Sequence, residues 1–200
     1  MKNWNYINLP NWKKLRDQII EFKKIAPIPE EISECWQCYF LDTLKEELPD
    51  VVEAFASIGL TPRQMILFDN APNDINDKNH TTKNAIFVHI DARDDEMPET
   101  DFDPTNAINI PLVNCENSHT LFFEIDLPEG RHPEDIYVIY DEFYKCGGLY
   151  LDLVKEIDRF TLDKPAILRV NIPHGVYNPT KQLREVATFR FYEDTDHLLK

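Results

Sequence analysis

The chain has 200 residues, 36 of them acidic and 21 basic, for a formal net charge of −15. That length fits one domain, or one domain with a helical extension, and it can bury most of its apolar surface without disulfide or metal staples. With 42% hydrophobic and 12% aromatic residues the composition is that of a globular chain, and its acidic balance argues against a nucleic-acid backbone or an anionic membrane as partner.

The first ten residues, Met1 to Pro10, lack the apolar run of a signal peptide, and no stretch approaches a membrane span. Four cysteines, Cys35, Cys38, Cys115 and Cys146, are too few and too irregularly spaced for a disulfide framework. The expected compartment is the reducing cytoplasm.

From Asn11 onward, Trp12, Leu15, Ile19 and Phe22 recur at spacings of three and four, which predicts a helix with one apolar stripe and Asn11 as its N-cap. Pro27 and Pro29 end it. A second helix is expected over residues 35–48, and a third from Pro49 to Ile58, closed by Gly59 in a left-handed cap.

Beyond Gly59 the period shortens to that of strands. The runs 64–68, 85–91, 107–115, 120–126, 136–140, 166–174 and 184–191 are short and rich in β-branched or aromatic residues. Polar, proline-containing links separate them, and the acidic link from Asp94 to Asp103 reads as a solvated loop. Seven runs without long helices between them predict a sandwich or jelly roll. The expected architecture is a single domain over residues 1–200 of α+β class, mainly β, with a helical layer over 1–60 and a β core over 61–200.

Three polar groups stand at strand ends that otherwise read as core. His89 and Asp91 are two residues apart, so they project from one face of their strand. His174 ends the run 166–174 in phase with Leu168, Val170 and Ile172. Arg184 follows ten residues later, in phase with Val186 and Thr188. Two imidazoles and a carboxylate on one face of a metal leave the opposite positions open, the arrangement of non-haem Fe(II) oxygenases, and a buried arginine nearby suits a carboxylate held by two hydrogen bonds. A His-x-Asp pair alone is a weak signal that composition supplies by chance. An ordinary structural account of the same residues makes His89 a hydrogen-bonded core histidine, Asp91 and His174 turn residues, and Arg184 a surface ion-pair partner.

The stretches 88–91, 107–120 (AINIPLVNCENSHT), 171–178 (NIPHGVYN) and 184–191 resemble the 2-oxoglutarate/Fe(II)-dependent oxygenase superfamily, and most of all its small members in phages and marine bacteria. The similarity runs from about Asn84 to Tyr192. It implies a double-stranded β-helix with the metal inside one end. By position it implies His89, Asp91 and His174 as iron ligands and catalytic centre, and Arg184 as the anchor of the distal carboxylate of 2-oxoglutarate. The Arg-x-Ser signature of the superfamily is not kept, because Val186 stands where the serine would; Thr188, in phase with Arg184, is the candidate for the missing hydroxyl. The implied activity is hydroxylation of a C–H bond in a small-molecule or peptide substrate, in the cytoplasm, or the host cytoplasm for a phage protein. Two other functions fit the sequence: a catalytically silent jelly-roll binding module, and an acidic phage protein that occupies a basic host partner.

Other features read as structure. Cys35-Trp36-Gln37-Cys38 has redox or zinc spacing but lies in the expected helix, which favours plain thiols. His119 is expected to be a hydrogen-bonded turn residue, His80 to lie in a polar loop, and Gly147-Gly148 to form a turn. Arg190, also in phase with Arg184, is a rival anion anchor whose place near the strand's far end favours a surface role. With five glycines in the chain there is no phosphate-cradling loop.

Overall fold

A computed structural model of the chain describes residues 2–33, 35–77, 85–91, 105–126, 137–141, 146–149 and 151–200. His80 and the acidic stretch 94–103 lie outside these residues. Among the described residues no helix is long and apolar enough to cross a membrane.

The chain opens with a short strand, β1 (Trp4–Tyr6), and helix α1 (Trp12–Ile25). Leu15, Ile19 and Phe22 form the buried stripe of α1, as their spacing requires. Asn11 precedes the helix, but it does so in the left-handed region (φ 54°) without a side-chain cap bond. Its carbonyl accepts from the amides of Lys14 and Leu15 instead, a conformation asparagine tolerates. The expected helix over 35–48 is wrong in its first half. Strands β2 (Glu31–Ser33) and β3 (Trp36–Phe40) come first, and helix α2 covers only Leu41–Glu47. Trp36, Tyr39 and Phe40 favour a pleated surface, and β3 finds ladders on both sides, with β2 and with β4 (Pro62–Asn70). Helix α3 (Pro49–Ala56) follows α2. Gly59 stands at φ 80°, and the amide of Leu60 returns to the carbonyl of Phe55 at 3.0 Å, so the chain turns there as expected.

The remaining strands are β5 (Val88–Ile90), β6 (Asn106–Val113), β7 (His119–Ile125), β8 (Tyr137–Asp141), β9 (Cys146–Leu149), β10 (Val154–Phe160), β11 (Ala166–Arg169), β12 (His174–Tyr177) and β13 (Arg184–Phe191). They form two antiparallel sheets, one in the order β1-β11-β6-β13-β4-β3-β2 and the other in the order β10-β7-β12-β5-β9-β8. At the centre of the first lie β11, β6, β13 and β4, and facing them β10, β7, β12 and β5. Followed along the chain, these eight strands wind between the two sheets in jelly-roll order. The fold is a double-stranded β-helix.

Two sequence readings change here. The run 166–174 is two strands in different sheets. The chain leaves β11 after Arg169, crosses with Val170 and Asn171 both bonded to the carbonyl of Thr105, and enters β12 after Pro173, which lacks a ladder donor. Gly147 and Gly148 are not a turn but part of β9, paired with Ile90 and His89.

Strand alternation divides the core. On β6, Ile108, Ile110 and Leu112 face the helices, together with Phe189 and Phe191 of β13. Phe55 of α3 sits against both phenylalanines, with ring centroids 4.8 and 4.9 Å away, and burial of such rings stabilises the helical layer by roughly 1.5–3 kcal/mol each. The opposite faces, with Ala107, Phe122, Leu168 and Val186, meet between the sheets. Residues in phase with Val186 on β13 therefore point inward: Arg184, Thr188 and Arg190.

Candidate metal centre

His89 is the middle residue of β5, and Asp91 follows one residue past its end, so both side chains leave the same face. His174 opens β12 and is registered opposite His89 in the antiparallel pairing. That register places the two imidazoles 4.4 Å apart between ring centroids, tilted by 50°. His89 Nε2 lies 3.2 Å from Asp91 Oδ1. One donor atom from each of the three residues lies within 4.8 Å of the other two. His174 is buried, while the side chains of His89 and Asp91 are 21% and 23% exposed, so the cluster is not sealed from solvent.

Both imidazoles are oriented by backbone. Nδ1 of His174 is 2.9 Å from the carbonyl oxygen of Ile172, and Nδ1 of His89 is 3.3 Å from that of Phe87. A carbonyl only accepts, so the bond to Ile172 assigns the proton of His174 to Nδ1 and leaves its Nε2 lone pair for a cation, while His89 presents one nitrogen to the Phe87 carbonyl and the other to Asp91 Oδ1. Burial and the nearby His89 lower the pKa of His174, and Asp91 and the Ile172 carbonyl offset this only in part, leaving it at about 4. Burial alone would raise the carboxyl of Asp91. The charge of Arg190, followed by the hydrogen bond from His89, outweighs it, and the group is held well below the usual carboxylate range. The centre at neutral pH therefore offers a neutral His174 and an anionic Asp91. Two nitrogen donors and one carboxylate within this spacing fit a first-row divalent metal such as Fe(II), bound on one face.

Arg190 is not a surface residue. It is buried between the sheets, where Nη2 donates to Asp91 Oδ2 and Nη1 donates to the carbonyl of Asn106 at 3.0 Å. It faces inward because it shares the phase of Arg184 and Val186, a signal present in the sequence; what could not be read there is that β5 ends against this part of β13.

Arg184 is 2% exposed. Nη1 donates to Asn70 Oδ1 at 2.7 Å, across the register pair of β13 with β4, and its buried Nε has no hydrogen-bond partner. Among the described residues, no carboxylate pairs with it. Beside it the buried Cys115 thiol donates to the carbonyl of Glu185 at 3.1 Å. Burial lowers the pKa of Arg184, yet a guanidinium stays charged at any physiological pH. A buried cation with a neutral partner is costly, and a carboxylate held through two N–H groups is the ligand that relieves it. Thr188 is buried four residues along the same face. Opposite it in register stands Asn109 of β6, whose buried Oδ1 also lacks a hydrogen-bond partner, as does Oγ1 of Thr120 on β7. Asn70, Asn109, Thr120 and the partnership of Arg190 are the polar features of this interior that sequence reading missed.

The other candidates stand apart. Cys35 is exposed in the turn before β3 and Cys38 is buried in the middle of β3, so neither lies on a helix. Nδ1 of His119 meets Thr161 Oγ1 at 3.0 Å, a hydrogen-bonded position as expected, but on the first residue of β7 and not in a turn.

No family model matches the chain, and no curated protein does. Several solved structures align with it. SnoK, described as a non-heme alpha ketoglutarate dependent carbocyclase from nogalamycin biosynthesis, is 11% identical over 95% of this chain and 79% of its own, with a TM-score of 0.48. A prolyl-4-hydroxylase of Pseudomonas putida is 10% identical over 98% and 95%, with a TM-score of 0.46. HygX from Streptomyces hygroscopicus, with nickel and 2-oxoglutarate bound, is 10% identical over 95% and 82%, with a TM-score of 0.44. None of these likenesses carries a residue role.

Proposed function

We propose that this protein is a non-haem Fe(II)- and 2-oxoglutarate-dependent oxygenase that hydroxylates a small-molecule or peptide substrate. The observation that supports it most is the convergence of His89, Asp91 and His174, three residues far apart in sequence, into one cluster of donor atoms. His89, Asp91 and His174 would hold the iron. Iron with 2-oxoglutarate and O₂ supplies the oxidising power that the protein's own side chains lack.

The chain binds, orients and keeps dry. The carbonyls of Ile172 and Phe87 fix the two imidazoles, and Arg190 fixes the carboxylate. Arg184, with Asn70 beside it, receives the distal carboxylate of the co-substrate, and Thr188 offers a hydroxyl on the same face. Phe122 and Val186 wall the space between the sheets, which excludes water and strengthens the charge–charge contacts inside.

The test is formation of succinate from 2-oxoglutarate by the full chain with Fe(II) and O₂. The wild type is expected to form it, slowly when no substrate is present, and His174→Ala is expected to form none. Equal rates in the two proteins contradict the reading. An intact fold that takes up no metal marks the silent binding module instead.

A further inference from the structure

We propose that Asn178 is a positioning residue for the co-substrate: its buried carboxamide clasps the ends of β4 and β13 and so aims the Asn70–Arg184 pair at the distal carboxylate of 2-oxoglutarate. This inference rests on the reading of Arg184 as the anchor of that carboxylate.

Asn178 directly follows β12 and is fully buried. Every polar atom it carries has a partner. Its amide donates to Asn73 Oδ1 at 2.9 Å, and its carbonyl accepts from the Asn73 amide at 2.9 Å. Oδ1 accepts from the amide and the hydroxyl of Thr180, at 3.2 and 2.7 Å. Nδ2 donates to the carbonyl of Asn70 at 3.1 Å and to that of Gln182 at 2.8 Å. Carbonyls only accept, so the last two partners fix which end of the carboxamide is nitrogen.

Those two carbonyls belong to the chain segments that carry the anchor. β4 ends at Asn70 and β13 begins at Arg184, and the two residues form the terminal register pair of their ladder. Beyond that pair the ladder stops, and the Asn178 carboxamide bridges the two segments with one N–H to each. The end of a ladder opens more readily than its middle. A clasp there holds the backbone of Asn70, and with it the side chain whose Oδ1 accepts from Arg184 Nη1 at 2.7 Å. A carboxylate gripped by two parallel N–H groups needs a guanidinium fixed in this way.

Alanine at position 178 removes the clasp and little else. The backbone bonds to Asn73 survive, so the end of β12 stays anchored. The metal centre does not share the contact: His174 rests on the Ile172 carbonyl, and Asp91 on Arg190 at the other end of β13. The coupling is therefore selective for the co-substrate.

The experiment uses the full chain, titrated by calorimetry with Mn(II) and then with 2-oxoglutarate. Asn178→Ala is expected to bind 2-oxoglutarate roughly tenfold more weakly, with the Mn(II) affinity of the wild type. Asn70→Ala is expected to weaken 2-oxoglutarate as well, and adding Asn178→Ala to it to change little further, because both act on the same bond. In the chain without metal or co-substrate, the ¹⁵N-labelled Nη groups of Arg184, assigned by their loss in Arg184→Met, are expected to give separate NMR signals in the wild type and rotationally averaged ones in Asn178→Ala. If the alanine variant does not fold, Asn178→Ser, whose one hydroxyl serves only one of the two carbonyls, carries the same expectations. Unchanged 2-oxoglutarate affinity, an equal loss of Mn(II) affinity, or additive losses in the double variant overturns the proposal. If the wild type binds no 2-oxoglutarate, the reading of Arg184 fails, and the guanidinium signals still decide whether Asn178 holds Arg184 in place.

Discussion

Arg190 donates to one carboxylate oxygen of Asp91, Oδ2, and so leaves the other, Oδ1, facing the imidazole of His89 at 3.2 Å. The two residues come from opposite sheets. Their contact ties the end of β5 to β13, orients the carboxylate, and keeps it anionic against the cost of burial.

Removing that cation leaves a mostly buried carboxylate and the Asn106 carbonyl without their partner. Breaking a fully buried pair from one side costs about 3–5 kcal/mol; because the Asp91 side chain is 23% exposed, Arg190→Met is expected to cost roughly 2 kcal/mol. Urea denaturation of the metal-free protein measures it. A change within about 0.5 kcal/mol, the range of ordinary surface substitutions, contradicts the structural role given to the pair.

Arg184 leads to the opposite expectation. Its guanidinium is buried without a carboxylate, so Arg184→Met relieves an uncompensated charge and loses only the bond to Asn70. The metal-free variant is expected to be as stable as the wild type or more so, by on the order of 1 kcal/mol, while its affinity for 2-oxoglutarate is lost. Denaturation and calorimetric titration of the co-substrate read the two effects separately. A large loss of stability with intact co-substrate binding would make Arg184 a structural residue.

His174 gives the metal-free protein a pH dependence of definite sign. Its folded pKa of about 4 lies below the ordinary 6.5, so the unfolded chain binds the proton more readily than the folded one. The stability of the neutral form is complete above about pH 6.5 and is lost as the pH falls toward 4, by on the order of 3 kcal/mol. The depressed carboxyl of Asp91 adds its own loss only at lower pH still. Denaturation midpoints between pH 7 and 4 are expected to show this slope in the wild type and a shallower one in His174→Gln. Equal slopes would mean that His174 titrates as if exposed.

Much of this architecture was legible before any coordinates. The stripe of Leu15, Ile19 and Phe22, the left-handed Gly59 and the alternating runs around Ile108 and Phe189 each follow from local spacing, which chain geometry converts directly into a face. The failures share a different cause. Trp36 to Phe40 became a strand because β2 and β4 lie on either side to pair with it, and Gly147 and Gly148 joined β9 for the same reason. His174 looked like the end of one long strand, whereas the chain changes sheets between Arg169 and His174. The inward phase of Arg190 was visible, but its partner Asp91 is 99 residues away, and no local pattern encodes which strand end meets which. Asn70, Asn109 and Thr120 are ordinary polar residues in sequence and become distinctive only through burial.

The most direct test of the account is calorimetric titration of the metal-free chain with Mn(II), compared with His174→Ala. One ion per chain in the wild type, and none in the variant although it remains folded, is the predicted result. No uptake by the wild type, or the same uptake by both proteins, would contradict the claim that His89, Asp91 and His174 form a metal centre.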